Sequence, residues 1–272
     1  MSELISVIVA TYNREDALDA VLRALAAQSD RHFEVIVADD GSGPRTAAVV
    51  EAWSSRSGRR VAHVWHHDRG FRAAEIRNRA VLASAGEVCV FLDGDCIPRR
   101  EFVAAHRRLA EPGRFVAGNR VLLSPDLTQR ILRDRLEPEQ WALSTFMAAR
   151  RRGEINRLLP LVALPLGSLR NFGGGAWRSA RSANLAIRRS DLDRVDGFDA
   201  AFIGWGREDS DIVIRLIRSG TRRKDGRFAT GVLHLWHPDS DRSRLADNDR
   251  MLDEVIRGDR IKAIAGLSAL AA

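Results

Sequence analysis

The sequence predicts a doubly wound α/β domain on a mostly parallel sheet with right-handed crossovers. Three observations carry this. Between Ile5 and Leu92, four short apolar runs alternate with three amphipathic helical patterns, the order of events in successive βα units. The first of them, Ile5–Ala10, reads as an apolar stretch without strict alternation, as a strand covered on both faces requires. Each run also ends in a polar motif, and ligands of such sheets bind beyond the carboxyl ends of the strands.

Ile5–Ala10 is the first run, followed by Thr11-Tyr12-Asn13 and a helical pattern through Ala17, Leu18, Val21, Leu22 and Leu25. Phe33–Ala38 is the second, ending in Asp39-Asp40-Gly41-Ser42, with a helix from Ala47 to Trp53 behind it. Val61–Trp65 gives a third strand, His66–Phe71 a loop and Ala73–Ser84 a third helix, before a fourth strand over Glu87–Leu92 closes on Asp93-Gly94-Asp95. From Leu122 to Arg170 the pattern turns to arginine-rich helical stretches around Trp141 and Phe146, then to a Leu-Pro segment. Gly173-Gly174-Gly175 reads as a flexible loop, and Ala186–Phe198 as a strand end, a short helix and a turn. Gly204-Trp205-Gly206 leads into a helix through Ile212, Ile214, Leu216 and Ile217 that Gly220 stops. Phe228–Trp236 reads as a last strand and Asp247–Leu270 as a terminal helix. The resulting organisation is a first half over 1–122, a helical insertion over 123–170, a second half over 171–239 and a helical end over 240–272.

The 272 residues, 45% hydrophobic and 29% charged, can fill a real core, which excludes a disordered chain or a disulfide-stapled miniprotein. The best apolar stretch, Leu158–Leu166, is broken by Pro160 and Pro165 and falls short of the ~18 residues of a spanning helix. Met1-Ser2-Glu3-Leu4 has no cationic leader, and Cys89 and Cys96 form neither a disulfide framework nor a C-x-x-C zinc pair. The expectation is a cytoplasmic protein, with attachment to the inner face of the membrane as its variant. Basic residues outnumber acidic ones by 43 to 36, and all but Lys224 and Lys262 are arginine. Arginine forks suit phosphates and carboxylates, although a surface enriched through codon usage produces the same bias.

Asp93 and Asp95 stand two residues apart in a turn at a strand end, where hard oxygen ligands suit magnesium or manganese and, through it, a diphosphate. Asp39 and Asp40 supply a carboxylate that can accept from a base N–H, one of them being spent on an Asx-type turn. Thr11 and Tyr12 offer a hydroxyl and a stacking face. Arg69, Arg72 and Arg77 surround a helix start suited to phosphate. Glu208 and Asp209 open a helix, which the macrodipole alone would favour. Beside Trp205 and Gly206 they also fit a base next to an aromatic sugar platform. His234 and His237 could complete a manganese site as one imidazole beside aspartate oxygens. No role emerges for His66 or His67.

In this order, Ser6–Asn13, Val37–Ser42, Gly70–Asn78 and Phe91–Asp95 resemble family 2 glycosyltransferases of the GT-A fold, a Rossmann-like architecture. Val195–Asp199 and Gly204–Asp211 are similar to the acceptor half of bacterial chondroitin-type polymerases and animal galactosyltransferases. The resemblance covers about residues 4 to 240. It implies inverting sugar transfer from a nucleotide diphosphate sugar, with UDP the expected carrier, to a saccharide or lipid-linked saccharide. It further implies Thr11, Tyr12 and Asn13 as the nucleoside-binding start and Asp39, beside Asp40, as base reader. Arg77, with Arg72, lies near the diphosphate and Asp93 faces the ribose. Asp95 with His234 or His237 holds Mn2+ or Mg2+, Asp209 is the base, Glu208 positions the acceptor, and Trp205 with Gly206 forms the platform. Ala10 departs from the family's usual proline, and the absence of a second transferase domain argues against a processive synthase. A non-catalytic nucleotide-sugar or carbohydrate module on the same fold is the alternative, against which Asp209 counts. Nucleic-acid binding lacks its aromatic and basic stripe, a nicotinamide enzyme lacks G-x-G-x-x-G, and a glycoside hydrolase has no use for the phosphate loops. The oligomeric state is open. So is the insertion, whose apolar face can pack inward or lie on an anionic bilayer.

Overall fold

The computed structural model describes residues 3–271. Strands β1 (Ile5–Thr11), β2 (Phe33–Asp39), β3 (Val61–Trp65) and β4 (Val88–Asp93) are parallel, with helices α1 (Glu15–Ala26), α2 (Pro44–Arg56) and α3 (Ala73–Ala83) between them. Alternate residues serve the two faces: Val7, Val35 and Val90 pack with Leu18, Leu22 and Trp53, while Ile8, Ile36 and Phe91 pack with Ile76, Val81 and Val213. Phe91 meets Phe198 edge to face at 5.0 Å; truncating such a buried ring to alanine costs about 3–5 kcal/mol.

The fourth strand is followed by β5 (Cys96–Pro98), α4 (Phe102–Leu109), β6 (Arg114–Ala117) and β7 (Arg120–Leu122). The insertion contains α5 (Pro125–Arg133) and α6 (Leu143–Arg151), and β8 (Asn184–Arg188) and α7 (Arg189–Val195) follow. The chain ends with α8 (Glu208–Arg218), β9 (Arg222–Asp225), β10 (Val232–His234), α9 (Leu245–Arg257) and α10 (Ser268–Ala271). The seven-stranded sheet has the order β3-β2-β1-β4-β8-β6-β9, with β8 antiparallel to both neighbours. A small second sheet, β5-β10-β7, sets His234 opposite Cys96. That pairing carries the histidines to the end of β4.

Several expectations are corrected. The terminal helix stops at Gly258, and the chain beyond it is pinned back by Arg260, which pairs with buried Asp199 and Asp211. The strand expected over Phe228–Trp236 shrinks to β10 because Phe228 is left-handed (φ 60°) and Thr230 turns back onto the Gly226 carbonyl. Gly173–Gly175 is a docked turn rather than a free loop, since Arg223 N–H donates to Gly174 O at 2.8 Å. In the insertion, Leu127, Ile131, Phe146 and Ala149 are buried in the main core, so the helices α5 and α6 face inward. Among the described residues no helix is long and apolar enough to cross a membrane.

Candidate active site

The loops after β1, β2, β3 and β4 are tied into one edge by short hydrogen bonds. Asp40 N–H donates to Thr11 O at 3.0 Å, and Gly94 N–H to Ala10 O at 2.7 Å. A Cβ on Gly94 would lie 2.9 Å from that carbonyl and 3.0 Å from Thr11 Cβ, so only glycine lets the Asp-Gly-Asp turn close onto β1. Thr11 Oγ1 is buried there without a partner. Asn13, left-handed at φ 46°, accepts from Gly43 N–H and donates its own N–H to Ser42 Oγ. Its role is to staple the first two loops. Tyr12 is half exposed and donates its hydroxyl to Asp68 at 2.9 Å.

The two aspartates after β2 each bind a histidine. Asp39 accepts from Ser42 N–H at 2.8 Å and lies 2.8 Å from His63 Nε2. Burial pushes its pKa up, but these partners outweigh it and hold the carboxylate below its ordinary value. Asp40 Oδ1 lies 2.7 Å from His66 Nε2, and its Oδ2 accepts from Arg72 N–H at 2.8 Å. Here burial dominates and the pKa rises. His66, which sequence reasoning passed over, is thus a buried brace for the loop. The only signal was its place one residue past a strand end, beside one set of acidic motifs. Arg72 contributes its backbone, while its Nε is buried and unpartnered.

Arg77 is the centre of the site. Almost wholly buried, it reaches Asp93 Oδ1 at 3.2 Å with one arm and Glu208 Oε1 at 3.2 Å with the other. The Asp-Gly-Asp turn and the start of α8 are thereby joined through one guanidinium. Burial, then the neighbouring Asp209 charge, pushes Glu208 up to about 7 despite Arg77. Among the described residues, Glu208 Oε2 and Asp209 Oδ1 are buried acceptors without a hydrogen-bond partner.

Asp95, His234 and His237 form a second group, whose ligand atoms lie within 4.8 Å of one another. His234 Nε2 is 3.5 Å and His237 Nε2 3.4 Å from the Asp95 carboxylate. His237 Nδ1 donates to Pro238 O at 2.6 Å, which orients the ring with Nε2 toward Asp95. Burial lowers the His234 pKa, favouring the neutral, ligating form. One carboxylate and two imidazoles are a donor set that fits manganese, and both histidines lie beside Asp95.

Trp205 is partly exposed, and the Arg242 guanidinium lies 4.9 Å from its ring centroid. Gly204, Gly206 and Arg207 all have positive φ, and a Cβ on Gly204 would meet Arg244 Cβ at 2.7 Å. Asn248 of α9 donates to Gly206 O at 2.9 Å. The loop before α8 is therefore held from behind by α9, while Asn184 is a buried staple to the Asn119 and Thr230 carbonyls.

Residues 6–162 match the model of glycosyl transferase family 2. The chain belongs to that family. Residues 175–237, which contain Trp205, Glu208, Asp209, His234 and His237, match the N-terminal domain of galactosyltransferase. Among family members, validoxylamine A glucosyltransferase of Streptomyces hygroscopicus subsp. limoneus is 31% identical over 243 residues, covering 84% of this chain and 51% of that protein. Chondroitin synthase of Pasteurella multocida (strain Pm70) is 26% identical over 228 residues, covering 79% and 23%. The chain thus spans about half the length of the first relative or less of the second. The mannosyltransferase PcManGT from Pyrobaculum calidifontis, solved with GDP-Man and Mn2+, superimposes with a TM-score of 0.62 at 19% identity, covering 95% of this chain and 65% of that one. S. aureus TarS 1-349 with UDP gives 0.56 at 18% identity, covering 93% and 70%. These likenesses establish the GT-A fold.

Proposed function

We propose that the protein transfers a hexosyl group from a nucleotide diphosphate sugar, with UDP as carrier, to a hydroxyl of a saccharide or lipid-linked saccharide, inverting the anomeric centre. The observation that carries the proposal is the junction at Arg77, which sets the donor-side Asp93 against Glu208 and the unpartnered Asp209 carboxylate. A pure binding module has no need of an orphaned carboxylate at that place. Asp209 takes the proton of the acceptor hydroxyl as its oxygen attacks the anomeric carbon. The bond from that carbon to the diphosphate oxygen breaks, and the nucleoside diphosphate leaves. Glu208 holds the acceptor, and Trp205 packs against its ring. Asp95, His234 and His237 would hold Mn2+ (or Mg2+), which supplies charge neutralisation for the departing diphosphate.

On the donor side, Asp39 is held ionised and so can only accept. This suits the imide N–H of uracil. Because Asp39 is buried behind His63, the base approaches from the side of half-exposed Tyr12 and shares the Oδ2 lone pairs. The fold itself takes either base, as the GDP-Man and UDP complexes of its neighbours illustrate. Calorimetry with UDP, GDP and dTDP in manganese, followed by donor hydrolysis and transfer in an acceptor panel, tests the reading. Tighter binding of GDP than of UDP overturns the donor assignment, and binding with neither hydrolysis nor transfer overturns catalysis.

A further inference from the structure

The net charge of this chain is +7, and it is unevenly placed. Between residues 150 and 181 there are seven arginines and one carboxylate, Glu154, so that stretch alone carries six of the seven charges. Arg150, Arg151, Arg157, Arg178 and Arg181 are exposed and form no ion pair among the described residues. The same stretch holds the most exposed large apolar side chains outside the C-terminal region: Leu159 and Leu169 at 62% and Phe172 at 84%, with Leu164 at 39%. Single exposed leucines are ordinary. Four within residues 159–172, flanked by the unpaired Arg157, Arg178 and Arg181, are a candidate patch of the kind that marks an interaction surface.

The patch is built on a rigid base. Arg170 is buried and donates to the carbonyls of Asp225, Arg227, Phe228 and Leu164. Leu164 N–H donates to Phe228 O at 3.0 Å, and Gly174 O accepts from Arg223 N–H at 2.8 Å. Both ends of the segment are thus moored to one stretch, Arg223–Phe228, which keeps Leu164, Leu169 and Phe172 in one neighbourhood. That stretch runs directly into β10, the strand that ends at His234. A Cβ on Gly231 would lie 2.7 Å from Pro160 O, so the segment sits directly against the approach to the metal-facing histidines.

We propose that residues 157–181 are a docking surface for an anionic bilayer. Leu159, Leu169 and Phe172 enter the interface, and the unpaired arginines lie at headgroup level. The charge selects an anionic partner, and the apolar side chains select one with a hydrocarbon interior, which a soluble polyanion lacks. The surface is the Leu-Pro segment and its glycine turn rather than the helices of the insertion, whose apolar faces are already used in the core. This deepens the proposed function by favouring a lipid-linked acceptor, yet its test needs no turnover.

The experiment is flotation of the full chain with vesicles of phosphatidylcholine alone and of phosphatidylcholine with phosphatidylglycerol, at low and high salt. Binding only to the anionic vesicles, weakened by salt, is expected. Leu169→Ser with Phe172→Ser should lower partitioning at fixed salt while UDP binding and the melting temperature stay unchanged. Arg178→Gln with Arg181→Gln should each weaken partitioning about fivefold and flatten its salt dependence. Three outcomes overturn the proposal. One is no binding to either vesicle. Another is binding to heparin that the serine variants leave intact, without vesicle binding. The third is a concentration-dependent dimer that the serine variants dissolve, without vesicle binding. Vesicle binding without any sugar transfer would support the surface and sink the enzymatic reading separately.

Discussion

Arg77 in α3 and Glu208 in α8, 131 residues apart in sequence, meet at 3.2 Å in a site from which water is excluded at both groups. The same guanidinium holds Asp93 at 3.2 Å, so the end of β4 and the first turn of α8 share one cation. Removing one partner of a buried pair leaves an uncompensated charge and costs about 3–5 kcal/mol, more than an isosteric apolar replacement of the pair would. Arg77→Met should therefore destabilise by that amount in chemical denaturation. Arg77→Met with Glu208→Gln should recover part of it, whereas simple additivity would show the two to be uncoupled.

The Glu208 carboxyl, raised from 4.5 to about 7 by burial and by Asp209, favours its neutral form in the folded state. Its contribution to stability is fully present below pH about 4.5 and is lost as pH rises through about 7, at up to about 1 kcal/mol per pH unit. Melting curves of wild type and Glu208→Gln should hence diverge with rising pH, in favour of the glutamine. Ionisation of Glu208 places a negative charge beside the acceptor hydroxyl that it positions, which favours loss of that hydroxyl's proton. The wild-type rate should therefore climb through pH about 7, and in Glu208→Gln that inflection should vanish. An unchanged inflection would assign it to another group.

Chelation should abolish transfer and manganese restore it. The Pro238 carbonyl orients the His237 ring, so His237→Ala and His234→Ala should each weaken manganese binding by at least about 10–100-fold. Calorimetry of metal with the UDP-bound protein measures this directly. Asp95→Asn, which leaves one neutral oxygen in place of a carboxylate, should do the same, and unaltered manganese affinity in all three would remove the cluster from the site.

The parallel half of the fold was readable because its strands are short apolar runs punctuated by polar loops. The antiparallel half was not: β9 reads Arg-Arg-Lys-Asp, with no apolar residue to mark a strand, and owes its place to pairing with β6. β5 and β7 are each three residues long, too short for any period. Of the site, the positions of Asp93, Asp95, Glu208, Asp209, His234 and His237 followed from local motifs. What joins them did not. Arg77 was read as a phosphate ligand because it stands near a helix start, but its burial and its reach across to α8 depend on a contact between distant segments. The His63 and His66 braces likewise depend on strand register, since His63 lies beside Val37 while its ring reaches Asp39.

Asp209 differs from its neighbour in ways that separate their roles. Glu208 is almost fully enclosed and spends one oxygen on Arg77. Asp209 makes no hydrogen bond through Oδ1 and stands one residue further along the first turn of α8, free to receive a proton from an incoming hydroxyl. Asp209→Asn keeps the shape and removes only the basicity. It should lower kcat by about 10²–10⁴-fold while leaving UDP and manganese affinity within the wild-type range. Its melting temperature should hold or rise, since a buried acceptor without a donor is costly in the native state. Glu208→Gln should instead act mainly on acceptor KM and on the pH profile. If Asp209→Asn retained wild-type turnover and Glu208→Gln abolished it, the base would be Glu208, whose carboxyl at about 7 is already matched to neutral pH, and Asp209 would be the residue that raises it.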